Sequence, residues 1–490
     1  MRTHFPFAGK PGRFSTRFSR PLLALLPVVC AAVVLSGCGG SSSPMVQPGA
    51  TTVVVMASST ANDQLVALPL TLQSLMLKSQ SGTTVTVFSA PISAEYIHLN
   101  GNPQPLVTAS IPQDTYVSAF AVLAGAAPTC VGLHLVNSGM ITPGSTPVVT
   151  VNLPQPIQVT GAAMAIDLDL QVSQSFQYAG GCTLGTSAPL NPTFTLTAMD
   201  IAAQPTNSTN GRSVGMYGVI TAVNAANGTF TANGLNQQSE GPSPVWQVST
   251  NGSTAYDGVS NLSGLSAGLP VDMDVSLQPD GSLLATRVAV VDANTANLDM
   301  LNGEVLNLGN PPSSLTALSN QAVGAVASNF QFVGYAQSAS QISTQFPNVK
   351  TLPFPAVFQA ASATPGQNLL VAANISYSNA FSTNTFPATA VELVPQTING
   401  TVTAVSASGG FTVYTVTLAP YDLFPIVAAA NAGQSVVPTA PNTVQVYADS
   451  STAVLVPVST GSVFRFYGLV FNDKGTLRMD CAQIAAGVAE

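Results

Sequence analysis

From Thr51 onward the chain alternates between short apolar runs, roughly four to eight residues long, and clusters of Gly, Pro, Asn and Asp. Thr52-Val53-Val54-Val55, Val85-Thr86-Val87-Phe88, Tyr116 to Val122, Val148 to Val151 and Phe194 to Thr197 are such runs, rich in β-branched and aromatic residues that suit a pleated surface. Gly82, Asn100-Gly101, Pro112, Gly139 and Pro143-Gly144 interrupt them. This spacing predicts a β-sandwich over residues 51–203.

A polar linker, 204–212, precedes a self-similar pattern. Tyr217-Gly218-Val219-Ile220 is answered by Asn302-Gly303-Glu304-Val305 and by Asn399-Gly400-Thr401-Val402, the glycines being 85 and 97 residues apart. The first unit closes with a hairpin pattern, Val271 to Leu277 and Leu284 to Val290 around Asp280-Gly281. The last echoes it around Lys474-Gly475, where a tight hairpin needs positive φ. Units of this length exceed solenoid repeats of about 20 to 50 residues, so three β modules are predicted over 213–295, 300–395 and 396–490. The expected class is all-β, an N-terminal β-sandwich followed by tandem small β-barrel or sandwich modules.

Before Thr51 the pattern changes. Arg2, Lys10, Arg13, Arg17 and Arg20 form a basic end, Leu22 to Leu35 an apolar stretch, and small residues follow. This is the three-part layout of an export signal over residues 1–37, and the apolar stretch is short of the ~20 residues a spanning helix needs. Leu35-Ser36-Gly37-Cys38 resembles the lipobox of bacterial lipoproteins. The resemblance implies cleavage before Cys38, a thioether-linked diacylglycerol on its sulfur and a further acyl chain on its new amino group, together a stable anchor. Gly39 in place of Asp implies the outer membrane. Residues 38–50 read as a Gly/Ser/Pro tether.

The leader holds five of the twelve Lys and Arg, whereas all twenty Asp and Glu lie beyond Cys38. Seven cations against twenty carboxylates cannot build the basic groove that phosphate backbones require, which excludes nucleic acid as a partner.

Two domain families are resembled. Residues 51 to about 200 resemble an uncharacterised family of bacterial surface lipoprotein domains with a transthyretin-like or carbohydrate-binding-like sandwich. The likeness rests on Ile97-His98-Leu99-Asn100-Gly101, on Ile111-Pro112-Gln113-Asp114-Thr115-Tyr116 and on Ala165-Ile166-Asp167-Leu168-Asp169-Leu170. The chain departs from it after the first strand, where an acidic turn is replaced by Met56-Ala57-Ser58-Ser59-Thr60. The units after residue 212 resemble a second uncharacterised family of small barrel-like domains, with Gly218, Gly303 and Gly400 as the matching glycines. Neither resemblance implies a reaction.

Beyond Cys38 the cysteines are Cys130, Cys182 and Cys481. Cys130 and Cys182 fall in one predicted domain and turn-like contexts, so an exported chain is expected to pair them as a disulfide, with Cys481 buried and unreactive. His98 and His134 each alternate with aliphatic neighbours, as on the polar face of a strand, and neither these nor the cysteines show metal-site spacing. No metal and no cofactor are expected. Asp167 with Asp169, and Asp272 with Asp274, place two carboxylates on one strand face roughly 7 Å apart, a separation that overlaps the range of glycosidase pairs. A half-solvated strand gives the same alternation, so weak ligand contact is the stronger functional reading of these four. Trp246, the single tryptophan, either stacks on a sugar or fills a module core. The leading expectation is a lipid-anchored, non-catalytic binding or structural protein of the cell envelope, with extracellular polysaccharide or envelope proteins as partners. The alternative is a hydrolase or accessory subunit acting on envelope glycans from a module junction.

Overall fold

Burial alternates along strands such as Asp114–Ala126, where buried Tyr116, Ala119, Ala121 and Leu123 interleave with the more exposed Val117, Ser118, Phe120 and Val122. A computed structural model describes residues 49–60, 65–126, 128–130, 137–138, 148–175, 192–199, 201, 212–235, 242–292, 299–308, 314–323, 330–334, 340–359, 362–373, 386–419, 422, 424–425, 427 and 443–488. Cys38 with its lipobox residues Leu35, Ser36 and Gly37, and Cys182, lie outside the described residues. Cys130 is placed by its backbone in the short strand Thr129–Cys130.

The first unit is a sandwich. One sheet runs in the order Phe194–Met199, Ala163–Leu170, Ala50–Ser59, Gln104–Pro112, with the two central strands parallel and Ser58 opposite Asp169. The other is built on Asp114–Ala126 and Pro69–Ser79, flanked by Val148–Val151 and Thr84–Phe88. Val53, Val55, Ile166 and Leu168 face Leu70, Leu75, Leu77 and Ala121 to form its core. The Tyr116 hydroxyl donates to the Pro112 carbonyl at 2.9 Å, the local tie that fixes strand entry in the tyrosine corners of other β-sandwiches.

Among the described residues, the three following units have one topology. In the first, Arg212–Asn224, Thr229–Gly234 and Val245–Ser249 form a meander, Pro270–Leu277 pairs with the first strand, and Leu283–Val290 closes parallel to the third. The second barrel repeats this with Asp299–Leu308, Ser314–Val323, Phe330–Gly334, Asn368–Ala373 and Phe386–Leu393. The third does so with Gln396–Ser408, Phe411–Leu418, Thr443–Ala448, Val463–Asp473 and Thr476–Ala486. A sixth short strand lies parallel to the last one each time. These are closed five-stranded Greek-key barrels of the OB type.

The repeated glycines sit at the point that lets each barrel curve. In each barrel the register of the first strand against the second slips just beyond the glycine, between Ile220 and Ala222, Val305 and Asn307, and Val402 and Ala404. A bulge there bends and twists the strand. A Cβ on Gly218 would lie 2.6 Å from the Asn233 carbonyl oxygen, and one on Gly400 2.4 Å from that of Thr417.

The two hairpin turns differ from one another. Lys474 and Gly475 both have positive φ and join strands paired up to Asp473 opposite Thr476, a two-residue loop. In the first barrel pairing ends at Leu277 opposite Leu283, and only Gly281 of the Asp280-Gly281 pair has positive φ. The longer loop frees Asp280 to cap the Ser282 amide at 2.9 Å, and its tip abuts the outer face of the sandwich, where a Cβ on Gly281 would lie 3.0 Å from Thr52 Cγ2.

Residues 43–490 form one compact unit rather than a string of separate beads. Val54, Met56 and Ala165, on the outer face of the sandwich, share a core with Met216, Phe230, Trp246 and Met273 of the first barrel. Phe346, Phe354 and Phe358 of the second barrel cover Phe411, Tyr447 and Phe471 of the third.

Candidate functional site

Polar side chains of the described residues concentrate where these units meet, and one turn of the sandwich is central. Glu95 is buried, and its carboxylate accepts from the amides of Leu68 at 2.6 Å and Ile97 at 3.1 Å. It thereby shapes the turn that follows, and burial pushes its carboxyl up to about 7. From this turn Asn102 exchanges hydrogen bonds with the backbone of Val214, and the ring of His98 approaches the Gly215 carbonyl at 3.2 Å. Burial lowers His98 to about 4, so it is neutral at ordinary pH. On the other side Asn100 receives the third barrel: its carbonyl accepts from Thr397 at 2.8 Å and its side chain from Arg465 at 3.2 Å.

Asp272 and Asp274 converge on Arg287. The guanidinium donates to Asp272 at 2.7 Å and to Asp274 at 2.9 Å, with all three side chains buried. Asp274 and Arg287 are direct cross-strand partners, and period two brings Asp272 to the same face. The clamp extends into the second barrel, where Arg287 also donates to Thr344 at 3.2 Å and Ser343 donates to Asp272 at 3.3 Å. Desolvation raises Asp272 despite the guanidinium, and it pushes the neighbouring buried Glu392 up to about 8. These carboxylates face a domain junction rather than open solvent.

Asp167 and Asp169 are half-buried on the outer face of the sandwich sheet. The Ser58 hydroxyl bridges them, 2.8 Å from one oxygen of Asp167 and 3.1 Å from Asp169, and Gln171 donates to Asp169. Burial raises both, Asp167 to about 7, with Asp169 adding to the shift and Arg465 opposing it. Trp246 is 5 % exposed and donates its indole N–H to the Pro105 carbonyl at 2.8 Å, so the ring plugs the seam between sandwich and first barrel. Cys481 is buried, and desolvation holds its thiol well above the usual range.

The sequence shows both carboxylate pairs, but neither Arg287 as the partner of Asp272 and Asp274 nor Ser58 as the bridge between Asp167 and Asp169. The signal was present in Asp274 and Arg287 on two strands of one hairpin, and it required the loop length that sets the register. Glu304, Asn368 and Asp422, which line a polar cavity of about 70 Å³ between the sandwich and the last two barrels, carry no local motif.

Residues 217–289, most of the first barrel, match a domain of unknown function, DUF5666. No curated protein matches the chain. Among the described residues no helix is long and apolar enough to cross a membrane.

Proposed function

We propose that the protein is a lipid-anchored, non-catalytic lipoprotein of the cell envelope, held at the outer membrane through Cys38. Its four β units act as one rigid body that binds extracellular polysaccharide or envelope proteins, or supports them structurally. The observation that carries the reading of a rigid body is the Arg287 clamp, which ties two carboxylates of the first barrel to Ser343 and Thr344 of the second. The address rests on the leader pattern and on Leu35-Ser36-Gly37-Cys38. Replacing Cys38 by Ala is expected to abolish palmitate labelling and release the chain from the membrane fraction; labelled, membrane-bound C38A sinks the anchoring claim. Binding to an array of envelope polysaccharides without turnover supports the non-catalytic role.

A second reading, a glycan hydrolase, is favoured by one feature. Asp167, raised to about 7 beside Asp169, has the character of a general acid paired with a second carboxylate. Turnover of an envelope glycan that disappears in D167N would establish that reading over the first.

A further inference from the structure

We propose that the cavity between the sandwich, the second barrel and the third barrel binds a small cation bearing N–H donors, of the size of a protonated primary amine. The cavity measures about 70 Å³, room for about five water-sized bodies. The second barrel contributes Glu304 and Asn368, which lie directly opposite each other across adjacent strands and therefore share a face. The third barrel contributes Asp422 and Tyr467, and the sandwich His98 and Asn100.

Three features select the ligand. First, the Asn368 side-chain nitrogen donates to the Pro395 carbonyl at 3.4 Å, which turns its oxygen the other way. That oxygen has no hydrogen-bond partner, although the residue is 5 % exposed. A buried acceptor left without a donor is costly, by about 1 to 3 kcal/mol, so the site calls for a donor. Second, the described residues lining the cavity include the carboxyl groups of Asp422 and Glu304, and no Lys or Arg is among them, which favours a cation over a neutral polyol. Asp422 accepts one amide on each oxygen, from Asn399 at 3.1 Å and Phe424 at 3.2 Å, and each oxygen keeps a further lone pair for a ligand. Third, among the described residues no three His, Cys, Asp or Glu side chains converge as metal ligands, whereas zinc takes four such ligands and calcium or magnesium six or more oxygens. An ammonium group is satisfied by fewer.

The test uses the full-length chain in detergent, with methylammonium as probe and tetramethylammonium, glycerol and calcium as comparisons at equal ionic strength where charged. Methylammonium at about 50 mM should raise the melting temperature by about 2 °C or more while the comparisons do not. Calorimetric affinity should fall at least about tenfold in D422N and rise in N368D, which adds a negative charge beside the probe. A gain of affinity in N368D cannot come from misfolding. Equal stabilisation by tetramethylammonium or glycerol, stronger stabilisation by calcium, no stabilisation at all, or unchanged affinity in both variants would each overturn the proposal.

Discussion

The Arg287 guanidinium lies 2.7 Å from the Asp272 carboxylate with both side chains withdrawn from solvent, and Asp274 grips the same guanidinium from one side. Removing the cation leaves two carboxylates in a low-dielectric junction, the situation in which breaking a buried pair costs about 3 to 5 kcal/mol. R287M should therefore lower the urea midpoint sharply and separate the unfolding of the first two barrels. A triple replacement of Arg287, Asp272 and Asp274 by apolar residues should recover much of the loss. If R287M alone is neutral, the clamp does not brace the junction.

Trp246 gives a direct optical test of the seam. Its burial predicts blue-shifted emission resistant to acrylamide, unchanged on adding polysaccharide. W246F keeps an aromatic ring but loses the bond to Pro105 and leaves part of the seam unfilled, a cost of at least about 1 kcal/mol. Solvent-like emission that shifts with glycan would instead place the indole on a binding surface.

The repeat glycines should resist any side chain. At Gly400 the added Cβ meets backbone oxygen rather than a flexible chain end, so G400A is expected to cost on the order of 2 kcal/mol or more. G252A, with nothing within 4 Å of the new atom, should fall within about 0.5 kcal/mol of the parent. Comparable melting temperatures for the two variants would remove the steric reason for the repeat.

Carboxyls raised by burial set the pH response. Asp167, Asp422 and Asp480 are raised from 3.8 to about 7, Glu95 from 4.5 to about 7 and Glu392 from 4.5 to about 8, each chiefly by burial. A carboxyl raised on folding contributes stability below its unfolded pKa that is lost as pH rises through the folded value. His98, lowered from 6.5 to about 4, acts the other way and is lost as pH falls through that interval. The carboxyls prevail, so the melting temperature should fall between pH 5 and 8; a rise over that range would contradict the burial of these groups.

Period-two alternation, together with Gly and Pro breakers, made the strands legible, and the recurring glycines exposed the three-fold repeat, because a bulge needs the same residue at the same place each time. The pairing of whole units was not legible. Val54 and Met56 look like half of an ordinary strand alternation, and only the docked barrel shows that both faces of that strand are buried. Asp272 and Asp274 read as solvated for the same reason: a sequence window records spacing along a strand but not what covers it. Ile97 to Gly101 is legible as a family-like stretch, yet the role of this turn, with Asn102 next to it, in receiving two barrels depends on residues more than a hundred positions away.

The contact of Arg465 with the carbonyl of Ser59 joins residues 406 positions apart, and it has a consequence for how the chain reaches its native state. Closing so long a loop is slow, since chain entropy is lost before the contact rewards it. The N-terminal sandwich must wait for the final barrel before its outer turn is locked. Refolding is thus expected to show an early phase for individual β units and a late one for docking of the third barrel on the sandwich, and R465A should slow or abolish the late phase alone.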